Sequence, residues 1–414
     1  MKAVLLMCGV PGSGKSTWIK DNGLYDYSVS RDQLRLQYYG ISYDGYGFES
    51  MPEVSEKFVY ERYMEMVEVR MRNGSFVVLD NTHLKMHTIN SIKQLAECYG
   101  YNIFIKIMNT PLHECLNRNK DRERLKFVSE EVIVKMNNNF KSFKENISKD
   151  YDIKRIEDLN EISAYDLSKS YIHYKSTDSI YVVGDIHGCY NELDKFLSNY
   201  ESDLSSSKKL IFTGDFTDRG PENLKVLNKL IELSELNNAY FIEGNHEMSL
   251  REYSYSKSIM SKDFISTTKP QLDTDPDIKI RLRPLLMKLR THILLSNDFL
   301  VNIDKATNNI IICHGGISYD YRVLNGEVWR SPRSVIKGSD YPNGDMKDVA
   351  EKFHNSCDIT SSQIHGHRPV VDENGVIQPA KTNPSVINLD GHVDQGGHLL
   401  VAHIQNKKID ILKY

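Results

Sequence analysis

Short apolar runs alternate along this chain with stretches in which apolar residues recur every three or four positions. In the first third the β-like runs are Ala3 to Met7, Tyr27 to Val29, Phe76 to Leu79 and Asn102 to Ile107. Helical spacing begins at Gly14 and runs again through Lys85 to Tyr99. Pro52 opens another such stretch, Glu53 to Arg72, with Val54, Phe58, Val59, Tyr63, Met66 and Val67 at near-helical spacing and Asn73-Gly74 as its stop. This alternation predicts a parallel sheet with helices on both faces. From about Asn137 to Thr177 the chain turns polar, without a sustained apolar run. The β-like runs then return as Ile180 to Val183, Leu210 to Thr213, Tyr240 to Glu243, Asn309 to Cys313, Val386 to Leu389 and Leu399 to Ala402. Several end in Asp, His or Asn, where chemistry sits in open α/β sheets. The pattern predicts an α/β chain with domains at 1–150 and 178–414, joined by a polar linker at 151–177.

Composition narrows the class. The 414 residues exceed one ordinary core, and 40% hydrophobic with 26% charged residues excludes a mainly disordered chain. Lys plus Arg is 52 against 56 for Asp plus Glu, a net charge of -4, so there is no global basic field and any nucleic-acid contact is local. No stretch approaches the roughly 18 uninterrupted apolar residues of a membrane span. The cysteines Cys8, Cys98, Cys115, Cys189, Cys313 and Cys357 are far apart and form no CxxC pair. A cytoplasmic protein with unpaired thiols is expected.

Gly9-Val10-Pro11-Gly12-Ser13-Gly14-Lys15-Ser16-Thr17 fits G-x-x-x-x-G-K-[ST] and stands between an apolar strand and a helix start. There the backbone N–H groups cradle phosphates, Lys15 neutralises developing charge and Ser16 can hold Mg²⁺. ATP with Mg²⁺ is the expected ligand. On the acceptor side, Ser30-Arg31-Asp32-Gln33-Leu34-Arg35 begins a helix that sets Asp32 and Arg35 one turn apart. A carboxylate there can take a proton from an attacking hydroxyl while the guanidinium grips a phosphate; a capping Asp with a surface ion pair fits the same spacing. Asp80-Asn81-Thr82 ends the Phe76 to Leu79 run, and Arg118, Arg122 and Arg124 populate a basic helix that fits either a solvated face or a phosphate-gripping lid.

GVPGSGKST, SRDQLR, VVLDNTH and RNKDR, in this order, resemble the 5'-hydroxyl polynucleotide kinase domain of nucleic-acid repair enzymes. The resemblance implies Asp32 as general base, Arg35 beside the acceptor phosphate, Asp80 on the acceptor side and Arg122 as the lid arginine on ATP, with Arg118 and Arg124 also in reach.

In the second half GDIHG (184–188), GDFTDRG (214–220), GNHE (244–247), HGG (314–316) and GH (366–367) each follow or end a β-like run. Two metal ions a few Å apart need carboxylate, imidazole and amide ligands with one shared bridge, and these five blocks supply them. They resemble the phosphoprotein-phosphatase-like branch of the calcineurin-like metallophosphoesterases, which implies an α/β sandwich. By that resemblance Asp185 and His187 bind one metal, Asp215 bridges, and Asn245, His314 and His367 bind the other. The two ions are expected to be Mn²⁺ or other transition metals. Arg219 would hold phosphate oxygens, and His246, oriented by Asp218, would protonate the leaving oxygen. Asp390, in NLDGH, matches a late Asp of related sequences. Trp329 with Arg330, Ser331, Pro332 and Arg333 resembles a W-S-x-P block of the phosphatase family, which implies Arg330 or Arg333 as a further substrate contact. Asp273-Thr274-Asp275 lacks the flanks of an aspartate-nucleophile phosphatase and reads as a solvated loop, and His365, His392, His398 and His403 lie outside the matched blocks.

Together the halves resemble the kinase and phosphatase modules of bacterial polynucleotide kinase-phosphatase end-healing enzymes. No K-x-D-G nucleotidyl-transfer motif is present, so a separate ligase is implied. The expected partners are RNA or DNA strand ends bearing a 5'-OH or a 3' phosphate. The alternatives are a dinucleoside polyphosphate hydrolase or protein Ser/Thr phosphatase behind a small-molecule kinase, and a sensor in which the first domain only binds ATP.

Overall fold

A computed structural model describes the chain except residues 176, 201–206, 297–309, 320–327, 340–344, 357–361, 370–380, 384–385 and 407. Asn309 and Cys357 therefore lie outside the described residues. The other five cysteines are buried and free.

The chain folds as two units, Lys2–Tyr165 and Asp166–Tyr414, the second also counting Met1. The first carries β1 (Ala3–Cys8), β2 (Ser28–Val29), a small hairpin of β3 (Ser42–Tyr43) and β4 (Glu49–Ser50), then β5 (Val77–Leu79), β6 (Asn102–Ile107) and β7 (Ile153–Ile156). Its main sheet has the order β2-β5-β1-β6-β7, parallel throughout. Central β1 is buried along its whole length, which is why it reads as a continuous apolar run instead of an alternating one. The helix Glu56–Arg72 buries Val59, Tyr63, Val67 and Met71, one per turn, and begins at a Ser55 cap instead of at Glu53.

The second unit holds β8 (Tyr171–His173), β9 (Ser179–Val183), β10 (Lys208–Phe212), β11 (Ala239–Phe241), β12 (His292–Ser296), β13 (Ile310–Cys313), β14 (Ser362–His365), β15 (Lys381–Asn383), β16 (Val386–Asn388), β17 (Leu400–Gln405) and β18 (Lys408–Lys413). These form two sheets, β11-β10-β9-β17-β18 and β15-β16-β14-β13-β12-β8. Ile180, Val182, Ile211 and Ala402 of the first share one core with Ile172, Ile293, Ile312, Ile364 and Ile387 of the second, so the sheets stack face to face. The helices Tyr190–Tyr200 and Asn223–Ser234 cover one outer face, and Pro332–Lys337 and Met346–Ser356 cover the other. The expected α/β sandwich is the fold of this unit.

The segment 151–177 expected as a polar linker is folded. Its strand β7 pairs with β6, Ile103 opposite Ile153, and β8 pairs with β12, Leu295 opposite Ile172. The division between units falls inside the helix Asn160–Ser170. The segment buries Ile153, Ile156, Leu159, Ile162 and Ile172, each among polar neighbours, so no apolar run marks them. Ile153→Ala is therefore expected to destabilise the first unit by about 2–5 kcal/mol, read as a lower urea midpoint. A solvated linker residue would change it by less than about 0.5 kcal/mol.

Candidate active sites

In the first unit the Gly9–Gly14 loop joins β1 to the helix Lys15–Asp21. Gly12 has φ +81°, and a Cβ there would meet the Cys115 carbonyl oxygen at 2.4 Å, so only glycine fits. Lys15 Nζ donates to the carbonyls of Gly9 (2.8 Å) and Val10 (2.9 Å), and burial pulls its pKa down to about 8. Ser13 is buried in the loop, and its carbonyl accepts from Thr110 Oγ1 at 2.9 Å. Ser16 Oγ donates to Asp80 Oδ2 at 2.8 Å, which pairs a hydroxyl and a carboxylate at the carboxyl edge of the sheet, oxygen donors that could hold a Mg²⁺. Burial raises the Asp80 pKa, and Ser16 and the charge of Lys15 oppose that rise.

Asp32 and Arg35 lie on the helix Arg31–Tyr39 and form an ion pair; Arg35 also reaches Glu56. The Asp32 side chain is 62% exposed. Of the three arginines expected near the phosphates, Arg122 is half-buried and its charge acts on Lys15, Asp32 and Asp80. Arg118 pairs with Glu114 on its own helix, and Arg124 pairs with Asp44 and lies 4.0 Å over the Phe48 ring. Lys15, Asp32, Asp80 and Arg122 thus form one electrostatic cluster beside the loop. Sequence reasoning missed Glu56, whose contact joins residues on separate helices.

In the second unit the chemistry-bearing residues lie just past strand ends: Asp185 and His187 after β9, Asp215 after β10, Asn245 and His246 after β11, His314 after β13, His367 after β14 and Asp390 after β16. Asp215 is at the centre. The ligand atoms of His187, Asp215 and His246 lie within 4.8 Å of one another, as do those of Asp215, His314 and His367. Asp215 belongs to both groups, the position of a bridging carboxylate. His314 Nε2 lies 3.2 Å from Asp215 Oδ1 and 3.1 Å from Asn245 Oδ1. His187 Nδ1 and His314 Nδ1 face the carbonyl oxygens of Thr217 (3.1 Å) and Thr213 (3.0 Å), which fixes the proton there and leaves each Nε2 for a ligand. Asp185 accepts from the His367 N–H at 2.8 Å, and a Cβ on Gly366 would stand 1.9 Å from Asp185 Oδ1. Asp185 and Asp390 stand outside the two tight groups; Asp390 is buried, accepts from His392 N at 3.0 Å and acts on Asp185 through its charge.

The local electrostatics suit a cation. Burial alone would lower the His314 pKa, yet Asp215 and Asp185 outweigh it and push it up to about 10. Asp215 is held well below the carboxylate range by the surrounding histidines, against its burial. His187, Asp215, Asp218, Arg219 and His367 all have φ between 44° and 75°, a concentration of left-handed backbone that non-glycine residues rarely adopt. A buried mixed Asp/His/Asn donor set with its outer hydrogen bonds in place fits two divalent ions.

Asp218 Oδ2 lies 2.6 Å from His246 Nδ1, while Arg219 Nη1 is 3.3 Å from His187 Nε2 and 4.0 Å from Asp394 Oδ2. Several residues here were not foreseen. Glu247 accepts the N–H groups of Gly244 (2.7 Å), Asp215 (3.0 Å) and Phe216 (2.9 Å), clamping two ligand loops together. Asn223 Oδ1 accepts the Asp218 N–H at 2.9 Å, and Thr268 Oγ1 accepts it at 3.1 Å while donating to Asp218 Oδ1. Thr268 comes from a single π-helical turn, Phe264–Thr268, that nothing in the sequence announces, and its neighbour Thr267 accepts the Arg219 N–H at 3.2 Å. Glu247 stands in the GNHE block, whose pattern in the sequence gives it no role of its own. Arg330 lies over the buried Trp329 ring at 5.3 Å and Arg333 is exposed. Asp273 accepts from Tyr253 Oη and Asp275 pairs with Arg281, as suits a loop outside the site. His403 bonds Ser179 Oγ at 2.6 Å and stacks on Tyr181, away from the ligands.

A sandwich whose strand ends converge such a donor set on one buried carboxylate, with an arginine and a carboxylate-oriented histidine beside it, defines a metal-dependent phosphoesterase. Residues 179–398 match the calcineurin-like phosphoesterase family, just over half of the chain, and residues 4–143 match the AAA domain family. The chain belongs to the calcineurin-like phosphoesterases, with a P-loop domain fused in front. It is similar to the asymmetrical bis(5'-nucleosyl)-tetraphosphatase PrpE of Anoxybacillus flavithermus, 29% identical over 53% of this chain and 87% of that protein. The same enzyme of Oceanobacillus iheyensis is 27% identical over 54% of this chain and 86% of its own length. Among solved structures, a protein serine/threonine phosphatase from Saccharomyces cerevisiae is 16% identical, with a TM-score of 0.38 over 69% of this chain and 96% of that one.

Proposed function

We propose that the chain heals broken nucleic-acid ends, RNA above all, phosphorylating a 5'-OH with ATP and removing a 3' or 2',3'-cyclic phosphate. The observation that carries this reading is the exposed Asp32 carboxylate, paired with Arg35 and within the fields of Asp80 and Arg122. A domain that only senses ATP has no use for an acceptor-side base. In this reading Asp32 takes the proton of the 5'-OH, Arg35 holds the adjoining phosphate, and Lys15 and Arg122 meet the charge on the transferring group. Gly9, Gly12, Ser13, Gly14 and Thr17 line the phosphate cradle, with Ser16 and Asp80 toward Mg²⁺.

In the second unit Asp185, His187, Asp215, Asn245, His314 and His367, with Asp390 behind them, are the residues to hold two ions, Mn²⁺ or another transition metal. The chemistry such ions supply when bound is polarisation of the phosphoryl oxygens and a nucleophile at neutral pH. Arg219 orients the phosphate. His246 gives a proton from Nε2 to the leaving oxygen, and Asp218 fixes its Nδ1–H.

Thr268 holds Asp218 in that pose. Thr268→Val is expected to slow hydrolysis of phenyl phosphate about tenfold or more, because that leaving group needs a proton. Hydrolysis of 2,4-dinitrophenyl phosphate, which needs none, is expected to stay within about twofold, and Thr268→Ser is expected to restore phenyl phosphate hydrolysis. Equal losses on the two esters would reduce Thr268 to a packing role.

The deciding experiment for end healing follows both ends of one broken RNA in ATP, Mg²⁺ and Mn²⁺. A 5'-phosphate and a 3'-OH are expected, unjoined until a separate ligase is added. An untouched 3' phosphate, with rapid hydrolysis of a bis(5'-nucleosyl) tetraphosphate, would favour the second reading. Resemblance to the tetraphosphatases over most of their length supports that reading for the second unit.

A further inference from the structure

Between Tyr38 and Phe48 the chain reads YYGISYDGYGF, and most of its rings face solvent. Tyr46 is 88% exposed, Tyr43 67%, and Tyr38, Tyr39 and Phe48 about half. Asp44 shapes the hairpin by accepting the N–H groups of Tyr46 (2.9 Å) and Phe48 (3.0 Å). Tyr38 and Tyr39 stand edge-on to Phe58 at 5.4 and 5.8 Å. This aromatic face has no part in the core of its unit.

Two features connect it to the phosphate site. Tyr38 and Tyr39 close the helix whose first turn carries Asp32, so about 9 Å of helix rise separates the acceptor carboxylate from the first ring. That is about two to three stacked nucleotide steps. On the far side the hairpin is tied to the lid: Arg124, two residues beyond Arg122, pairs with Asp44 and lies over Phe48. The face therefore runs from the acceptor helix to the lid.

Its charges are already matched. Beside the rings Arg62 pairs with Glu65 and Arg124 with Asp44, which leaves Arg35 at the acceptor helix as the guanidinium assigned to a phosphate. A ligand here gains little from phosphate contacts and much from ring faces, and unpaired nucleobases stack on aromatic rings without regard to sequence.

We infer that Tyr38–Phe48 is a stacking platform for the first few unpaired bases behind a 5'-OH end. The inference rests on the kinase reading of Asp32 for its direction and adds to it how the strand is gripped. It commits the substrate to single-stranded ends with intact bases, bound with a shallow salt dependence. Between 50 and 200 mM salt the affinity is expected to fall less than about tenfold, as for one or two phosphate contacts.

The test uses the full chain and a fluorescent ten-residue 5'-OH oligonucleotide, with binding read by anisotropy in the absence of ATP. The double variant Tyr43→Ala/Tyr46→Ala is expected to raise Kd about tenfold or more, and Tyr43→Phe/Tyr46→Phe is expected to keep the parental value. An oligonucleotide with its first three residues abasic should bind the parent as weakly as the intact strand binds the alanine variant, and the variant should not distinguish the two strands. Unchanged affinity in the alanine variant, or an equal loss on the abasic strand, overturns the platform. A change in oligomeric mass with unchanged oligonucleotide affinity overturns it too, assigning the face to contacts between copies. Base-dependent binding without any phosphorylation in ATP and Mg²⁺ would instead sink the kinase reading and leave the platform standing. Phosphorylation of the oligonucleotide by the alanine variant with parental KM would do the opposite.

Discussion

Asp32→Ala is expected to slow 5'-phosphorylation of an oligonucleotide by about 10²–10⁴-fold, the usual contribution of a positioned general base. Hydrolysis of an aryl phosphate by the same variant is expected to match the parent. Asp32 stands on the helix Arg31–Tyr39 of the first unit, while every residue placed in hydrolysis belongs to the second. Lys15→Ala should lose transfer as fully but by another route, since Lys15 is the buried cation of the loop and in the kinase reading it meets the phosphates. Nucleotide affinity separates the two: it falls in the Lys15 variant and holds in the Asp32 variant. Near-parental transfer by Asp32→Ala would mean that the Asp32–Arg35 pair is a surface ion pair of the ordinary kind, which contributes about 0–1 kcal/mol of stability and no chemistry.

The reverse dissection has an effect as large. Asp215→Asn is expected to reduce phosphoesterase turnover by more than about a hundredfold, beyond what loss of an outer hydrogen-bond partner costs. Asp215 is shared by both ligand groups, accepts from the His246 backbone N–H at 3.1 Å, and is the charge that most raises the His314 pKa. One substitution therefore weakens both halves of the centre. A chelator should silence the parent enzyme likewise, with Mn²⁺ restoring hydrolysis and Mg²⁺ alone restoring little. Full recovery in Mg²⁺ would point to an all-oxygen site and count against the imidazoles as ligands. In Asp215→Asn, 5'-phosphorylation in Mg²⁺ should be untouched.

Legibility in the sequence follows how local each signal is. The β6 strand is legible residue for residue because Ile103, Phe104, Ile105 and Ile107 crowd into six positions whose neighbours are turn and helix signals. The phosphate loop and the five metal blocks are legible because each packs its chemistry into a few residues after a strand, and the structure places those residues at strand ends. What escaped depends on distance. Thr268 reaches Asp218 across 50 positions from a π-helical turn, and Asn223 and Glu247 support loops whose own residues had already been noticed for other reasons. The β7 strand escaped for the opposite cause: Ile153 and Ile156 flank Lys154 and Arg155, too short a pattern to read as a strand until β6 supplies its partner.

That both units draw on the segment 151–177 has a practical corollary for anyone dissecting the chain with restriction sites. A fragment stopping at residue 150 strips β7 from the first sheet and leaves β6 as a bare edge with unpaired backbone groups. One starting at 178 does the same to β12 by removing β8. Exposed edges of that sort recruit other chains, so both halves are expected to be recovered as aggregates when cut at the obvious polar stretch. The two activities are better parted by point substitution in the intact polypeptide than by truncation.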